Sequence, residues 1–173
     1  KEYDDYKDNN FGKDMITAVR LIEAGSKFVT LNYGGWDMHS GIENSLNGRQ
    51  TVLDTYLSKL ITTLEKRGLY EKVMLVVTSE FGRTPKINGN AGRDHWARLI
   101  PLMISSGAHD MGRVVGKSTV NAEEADQKPI QPEDLRWTIF DHLGIDKRMS
   151  WTAIDGRPHN MVKEGAKNIL TEV

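Results

Sequence analysis

The reading of the fold turns on Lys72–Ser79, "KVMLVVTS". Val73 to Val77 are apolar without a break. A strand with one face in water alternates apolar and polar residues, whereas a strand covered on both faces does not. The run therefore predicts a parallel strand buried between two layers. Leu99–Ser106, "LIPLMISS", reads as a second buried strand. Lys27–Tyr33, "KFVTLNY", is short, β-branched and aromatic, and reads as another. Gly112–Ser118, "GRVVGKS", suits a short edge strand.

Between these runs the period changes to that of a helix. Phe11, Met15, Val19 and Ile22 share one face, with Gly25 placed as a stop. From Ser45 to Arg67, Leu46, Leu53, Leu57, Leu60 and Leu64 form a stripe flanked by Tyr56 and Ile61, and Gly68 ends it. Pro132 suits the first position of a helix carrying Leu135, Ile139 and Leu143, closed by Gly144. Gly144–Val162 reads as turn and tail. Strands alternating with helices predict an α/β layered domain with a mostly parallel sheet. In such sheets ligands bind at the carboxyl ends of strands.

The chain has 173 residues, enough for one domain with a sizeable core. It carries 23 basic and 24 acidic residues, so net charge gives no argument for nucleic acid or an anionic membrane surface. No apolar run approaches the roughly 18 residues of a membrane span. The absence of cysteine excludes disulfides, thiolate metal sites and cysteine nucleophiles, and fits either redox compartment. The opening "KEYDDYKDNN" lacks an apolar signal-peptide core and an initial Met, and reads as the interior of a longer protein. No internal repeat or low-complexity tract occurs.

Two loops leave the predicted strand ends with reactive side chains. In "NYGGWDMHS", Asn32–Ser40, Asp37 and His39 are two apart, so in an extended segment they point the same way. A carboxylate and an imidazole together suit zinc, manganese or iron; the same residues also suit a polar turn. Glu80 follows five apolar residues and two hydroxyls, Thr78 and Ser79. It is either an exposed loop residue or a ligand at the sheet edge, because an unpaired buried carboxylate is costly. The stretch Glu80–Trp96, "EFGRTPKINGNAGRDHW", is a long loop rich in Gly, Asn and Arg, and long irregular loops are usually functional or disordered. It ends in His95, a third candidate ligand. Asp94 beside it could orient an imidazole by accepting its second N–H, or simply cap a turn. Arg83 and Arg93 could clamp an anionic ester, because guanidinium matches phosphate or sulfate oxygens, or form surface ion pairs. His109, His142 and His159 carry weaker signals. No G-x-G-x-x-G loop follows the first predicted strand and no full G-x-x-x-x-G-K-[ST] loop occurs, which disfavours a nucleotide-binding domain.

Taken together, "FVTLNYGGWDMHS", "LVVTSEFGRTPKINGNAGRDHW", "PLMISSG" and the late "DGRP" resemble the bacterial family called domain of unknown function 1501. That family is regarded as sulfatase-like, within the alkaline phosphatase superfamily. The resemblance covers nearly the whole chain and the C-terminal part of the family's domain. It implies a three-layer α/β/α sandwich and a metal-dependent hydrolase of phosphate or sulfate esters, with zinc, manganese or calcium as the divalent metal. One metal of such enzymes is held by an Asp and a His after one strand and by a later His; Asp37, His39 and His95 match in order. The second is held by an Asp-His pair at a strand end. Here that pair reads Glu80-Phe81, and Phe81 cannot ligate. The nucleophile belongs to a preceding segment, so residues 1–173 are expected to be the C-terminal portion of a larger sulfatase-like domain. The full-length protein is then expected to take a small anionic ester, to pair this chain with its own N-terminal part, and to be exported to the periplasm or cell surface. The competing expectation is a degenerate member that binds or builds without turnover.

Overall fold

A computed structural model describes residues 2–127 and 129–173. The chain divides into two compact units, one of residues 2–73 with Gly82–Ala97, the other of Met74–Phe81 with residues 98–173.

The first unit is built on two helices. A short 3-10 turn, Tyr3–Asp5, precedes α1, Asn10–Glu23. The side-chain oxygen of Asn9 accepts the Phe11 amide at 2.8 Å, satisfying one of the amides that a helix start leaves open. The predicted face of α1 is the buried one: Phe11, Met15, Ile16 and Val19 face inward, although Ile22 stays half-exposed. Past Ala24 the chain turns at Gly25, whose φ of 102° suits a residue without Cβ. The second helix, α2, spans Ile42–Lys66 and packs on α1. Its predicted leucine stripe is buried only at its C-terminal end, where Leu60 and Leu64 sit with Tyr56 and Thr63; Leu46, Leu53 and Leu57 are half-buried. Gly12 is where the helices meet most closely. A Cβ there would fall 2.4 Å from the Tyr56 ring and 2.7 Å from the Tyr6 carbonyl. Tyr6 is buried, and its hydroxyl lies 2.8 Å from Thr63 Oγ1, so neither polar group is stranded. Arg67 joins Glu2 to Glu23 by ion pairs.

The rest of this unit corrects the sequence reading. Lys27–Tyr33 is not a strand; it runs as irregular chain with no ladder partner. Its aromatic content is used differently: Tyr33 stacks on Phe11 at 4.2 Å, and Trp36 meets Tyr33 edge-on at 5.6 Å. The supposed long loop is a hairpin. Two short strands, β2 (Gly82–Arg83) and β3 (His95–Trp96), pair antiparallel with Gly82 opposite Trp96 and Arg83 opposite His95. The Thr84 amide to Asp94 carbonyl bond (2.9 Å) and the Asn88 amide to Gly92 carbonyl bond (2.8 Å) continue it toward the tip.

The second unit holds the two apolar runs as β1, Leu75–Thr78, and β4, Leu102–Ser105. They pair antiparallel, Leu75 opposite Ser105 through Thr78 opposite Leu102. This overturns the mostly parallel, three-layer α/β/α sandwich of the alkaline phosphatase/sulfatase-like expectation. Parallel neighbours need a crossover returning to the same end of the sheet, usually through a helix. The chain between β1 and β4 instead contains the β2–β3 hairpin. Nor is β1 a covered central strand, since Leu75, Val76 and Val77 are only half-buried. Among the described residues the sheets are two-stranded and antiparallel, with three α-helices, which makes a small mixed α/β chain. Two more pairs complete the set: β5 (Lys117–Ser118) with β6 (Ala125–Gln127), and β7 (Ser150–Thr152) with β8 (Pro158–Asn160). The last lies in the stretch read as turn and tail.

The helix predicted at Pro132 is present as α3, Pro132–His142. The Asp134 carboxylate accepts the Gln131 amide at 2.8 Å and the Lys167 amide at 2.8 Å, so one side chain starts the helix and receives the C-terminal segment. Thr138, fully buried, accepts the Ile169 amide at 2.8 Å, and Asn168 donates to Asp141 at 2.7 Å. With Val162, Ala166 and Ile169 buried, that segment forms the core of this unit.

Candidate functional site

Three of the four predicted ligand side chains converge in the first unit. Asp37 Oδ1 lies 2.7 Å from His95 Nε2 and 3.0 Å from His39 Nε2, and the two imidazole nitrogens are 3.2 Å apart. Asp37, His39 and His95 form the one group of this kind among the described residues. Glu80 is exposed, follows β1 in the second unit and stands outside this group.

The convergence has local causes. Trp36–His39 turns tightly, with the Met38 amide bonding the Trp36 carbonyl at 3.0 Å and the His39 amide bonding the Asp37 carbonyl at 3.3 Å. Side chains still alternate: Met38 is buried, while Asp37 and His39 project into solvent on either side of it. Just before, Gly35 has a φ of 87°, and the Arg49 guanidinium lies where a Cβ would be, bonded to the Gly34 carbonyl at 2.8 Å. The hairpin then brings His95. The Arg93 amide bonds the Met38 carbonyl at 3.1 Å. Gly92 presses directly on the His39 backbone, where a Cβ would fall 2.0 Å from the His39 carbonyl carbon. The hairpin tip also covers the start of α2, whose Gly41 and Ile42 amides bond the carbonyls of Asn90 and Ala91 at 3.0 and 2.8 Å.

Asp94 orients His39. Its Oδ1 lies 2.6 Å from His39 Nδ1. The His39 contact, then Asn88, holds the Asp94 carboxyl below its ordinary range. An ionised carboxylate only accepts, so Nδ1 is the donor to Asp94, and Nε2 faces Asp37 and His95. The Asp37 carboxyl is held well below the usual carboxylate range by the His95 hydrogen bond and then by Arg83, so His95 Nε2 is the donor to it.

The donor set fits a small divalent cation. Tetrahedral ligation at about 2.0–2.2 Å puts neighbouring ligand atoms roughly 3.3–3.6 Å apart. The three edges here, 2.7, 3.0 and 3.2 Å, would each have to open to reach that spacing, the Asp37–His95 edge most. An imidazole whose second nitrogen donates to a carboxylate is the usual setting of a metal-ligating histidine.

The two arginines bind protein. Arg83 donates to Asp37 Oδ1 at 2.6 Å, the Trp36 carbonyl at 2.9 Å and the Arg93 carbonyl at 3.0 Å. Arg93 donates to the carbonyls of Thr84 (2.6 Å) and Pro85. Two residues were not picked out from sequence. Asn88 donates to the His39 carbonyl and to Asp94 Oδ1, both at 3.1 Å, and accepts the amides of Asn90 and Gly92, both at 3.0 Å. Gly92 supplies the close approach. The signal for both lay in "NGNAG", which marks a turn tip.

Residues 1–173 match the family described as protein of unknown function (DUF1501). The chain belongs to that family. The match spans both units of the DUF1501 chain, so the hairpin carrying His95 and the segment carrying Asp37 and His39 both lie within it. No curated protein and no solved structure matches this DUF1501 chain. Among its described residues no helix is long and apolar enough to cross a membrane.

Proposed function

We propose that this DUF1501 chain holds a divalent metal through Asp37, His39 and His95, and serves a sulfatase-like hydrolase of phosphate or sulfate esters. The observation that carries the reading is the convergence of Asp37 Oδ1 with two imidazole nitrogens within about 3 Å, one imidazole being oriented by Asp94. Zinc or manganese suits two imidazoles and one carboxylate better than calcium, which prefers oxygen ligands. A metal bound there would polarise an ester oxygen and activate a nucleophile. The chain's own residues contribute orientation and charge. Asp94 fixes the His39 tautomer, Asn88 fixes Asp94, and Asp37 stays ionised beside Arg83. Glu80 is retained as a candidate second ligand group on the resemblance alone.

The second reading is a non-catalytic member that uses the same hairpin as a binding or structural module. Two observations favour it. Phe81 stands where the resemblance expects a ligating histidine. The Asp37 carboxylate also already balances its charge against Arg83.

Titration with zinc and manganese, followed by a panel of aryl phosphate and aryl sulfate esters, separates these readings. The hydrolase reading expects one tightly held cation per chain, lost in His39→Asn and His95→Asn. Failure to bind either metal sinks the metal reading. Binding without turnover by the full-length protein favours the module.

A further inference from the structure

We infer that Arg83 is a positioning residue for the Asp37–His39–His95 group, stapling the two ligand-bearing segments together, and not the clamp for an anionic substrate. The inference rests on the metal reading above and deepens it.

A substrate clamp needs donors that are free to meet incoming oxygens and a side chain that can reach them. Arg83 has the opposite arrangement. Its Nη1 donates to the Arg93 carbonyl at 3.0 Å, on the hairpin strand leading to His95. Its Nη2 donates to the Trp36 carbonyl at 2.9 Å and to Asp37 Oδ1 at 2.6 Å, on the segment leading to His39. One planar guanidinium therefore spans both chain segments that supply ligands, and fixes one ligand oxygen itself. The fork geometry of guanidinium suits this, since its donors diverge in one plane at fixed angles. The side chain is also largely withdrawn from solvent, 21% exposed against 67% for its partner Asp37.

Two effects of Arg83 on a bound cation oppose each other. Its positive charge lies against a ligand oxygen and repels a second cation. Its three anchors hold that oxygen, and the backbone on both sides, in place before a cation arrives. The site is solvent-exposed, where charge repulsion is weakened by water and salt. The anchors act on geometry, which solvent does not screen. Positioning should therefore win, and removal of partners that orient ligands typically lowers metal affinity 10–100-fold.

The test is calorimetric titration of zinc and manganese into the 173-residue chain, its Arg83→Met and Arg83→Lys variants, with thermal melting followed in parallel. Positioning predicts about tenfold or greater weakening in Arg83→Met. It predicts partial recovery in Arg83→Lys, which keeps the charge and can reach one anchor but not all three. A second titration, with inorganic phosphate at saturating metal, should give the same phosphate affinity in wild type and Arg83→Met. Unchanged or tighter metal binding in Arg83→Met overturns the inference while leaving the metal site standing. Unchanged metal binding with lost phosphate binding restores the clamp. No metal binding in wild type removes the metal reading itself, and this inference with it. If Arg83→Met fails to fold, a folded Arg83→Lys that binds metal as tightly as wild type is equally decisive against it.

Discussion

Two hairpins in this chain invert the usual relation between ladder length and attachment. The β7–β8 hairpin has three paired positions, Ser150 with Asn160, Trp151 with His159 and Thr152 with Pro158, extended by the Met161 amide to Met149 carbonyl bond at 2.9 Å. All six strand residues are exposed. Its cross-strand chemistry is local, a Trp151 ring stacked on His159 at 4.9 Å. The β2–β3 hairpin has only two paired positions. It is instead fastened by side chains and close backbone contact: Arg83, Asn88 and Gly92 bond or press on backbone outside the hairpin, and the Arg93 amide bonds the Met38 carbonyl. The long ladder decorates a surface. The short one carries His95 and Asp94 to a fixed place. What makes a hairpin precise here is its attachment across the fold and not the number of rungs.

The sharpest way to break that contrast is Gly92→Val. The added carbons meet the His39 backbone, which has no flexible end to yield. Destabilisation of roughly 3 kcal/mol or more is expected, with loss of metal binding, read by urea unfolding and calorimetry. Gly89→Ala, in the same tip but facing open space, should change stability by less than about 0.5 kcal/mol. Equal effects of the two would mean that the approach at Gly92 is not a constraint.

Asn88→Ala comes next. It strands the Asn90 and Gly92 amides and frees Asp94, and a loss of roughly 2 kcal/mol is expected. Nitrogen NMR of the His39 ring should show its tautomer becoming mixed. A ring spectrum unchanged from wild type would show that Asp94 needs no support.

Acid should separate the hairpins with a smaller effect, because the carboxylates are exposed. Asp37 and Asp94 both lie below their ordinary value of 3.8 in the fold. Their stabilising contribution is therefore complete above that value and lost as pH falls through the lower folded values. Protection of the Thr84 and Gly92 amides relative to their intrinsic exchange rates should hold at pH 5 and fall below about pH 3.8, and should lose that step in Asp94→Asn. Smallest is Trp151→Ala, where loss of an exposed cross-strand pair should lower stability by only about 0.5–1 kcal/mol in the same urea assay.

The helices were legible because a 3.6-residue period is written locally; Phe11, Met15 and Val19 lie on the face that is buried. The strands at Leu75 and Leu102 were legible as strands but not as partners. A run of apolar residues records that a segment avoids water, not which way its neighbour points. Lys27–Tyr33 had strand composition and no ladder: Tyr33 packs on Phe11 and Trp36, while Phe28 is exposed. The "DG" at Asp155–Gly156 was a hairpin signal between short exposed strands that lacked an apolar face to mark them. For the site, residue type and loop position brought out Asp37, His39 and His95. Asn88 and Gly92 act through backbone geometry, which no ligand pattern encodes.

Met38 sits between the two candidate ligands, Asp37 and His39, and is only 6% exposed. Its thioether is an apolar anchor beneath a polar surface. Oxidation to the sulfoxide would place a polar, chiral oxygen at that buried position. The Asp37–His39 pair is thereby coupled to the redox history of the side chain beneath it, and oxidative ageing would reach the candidate site through its floor and not through its mouth.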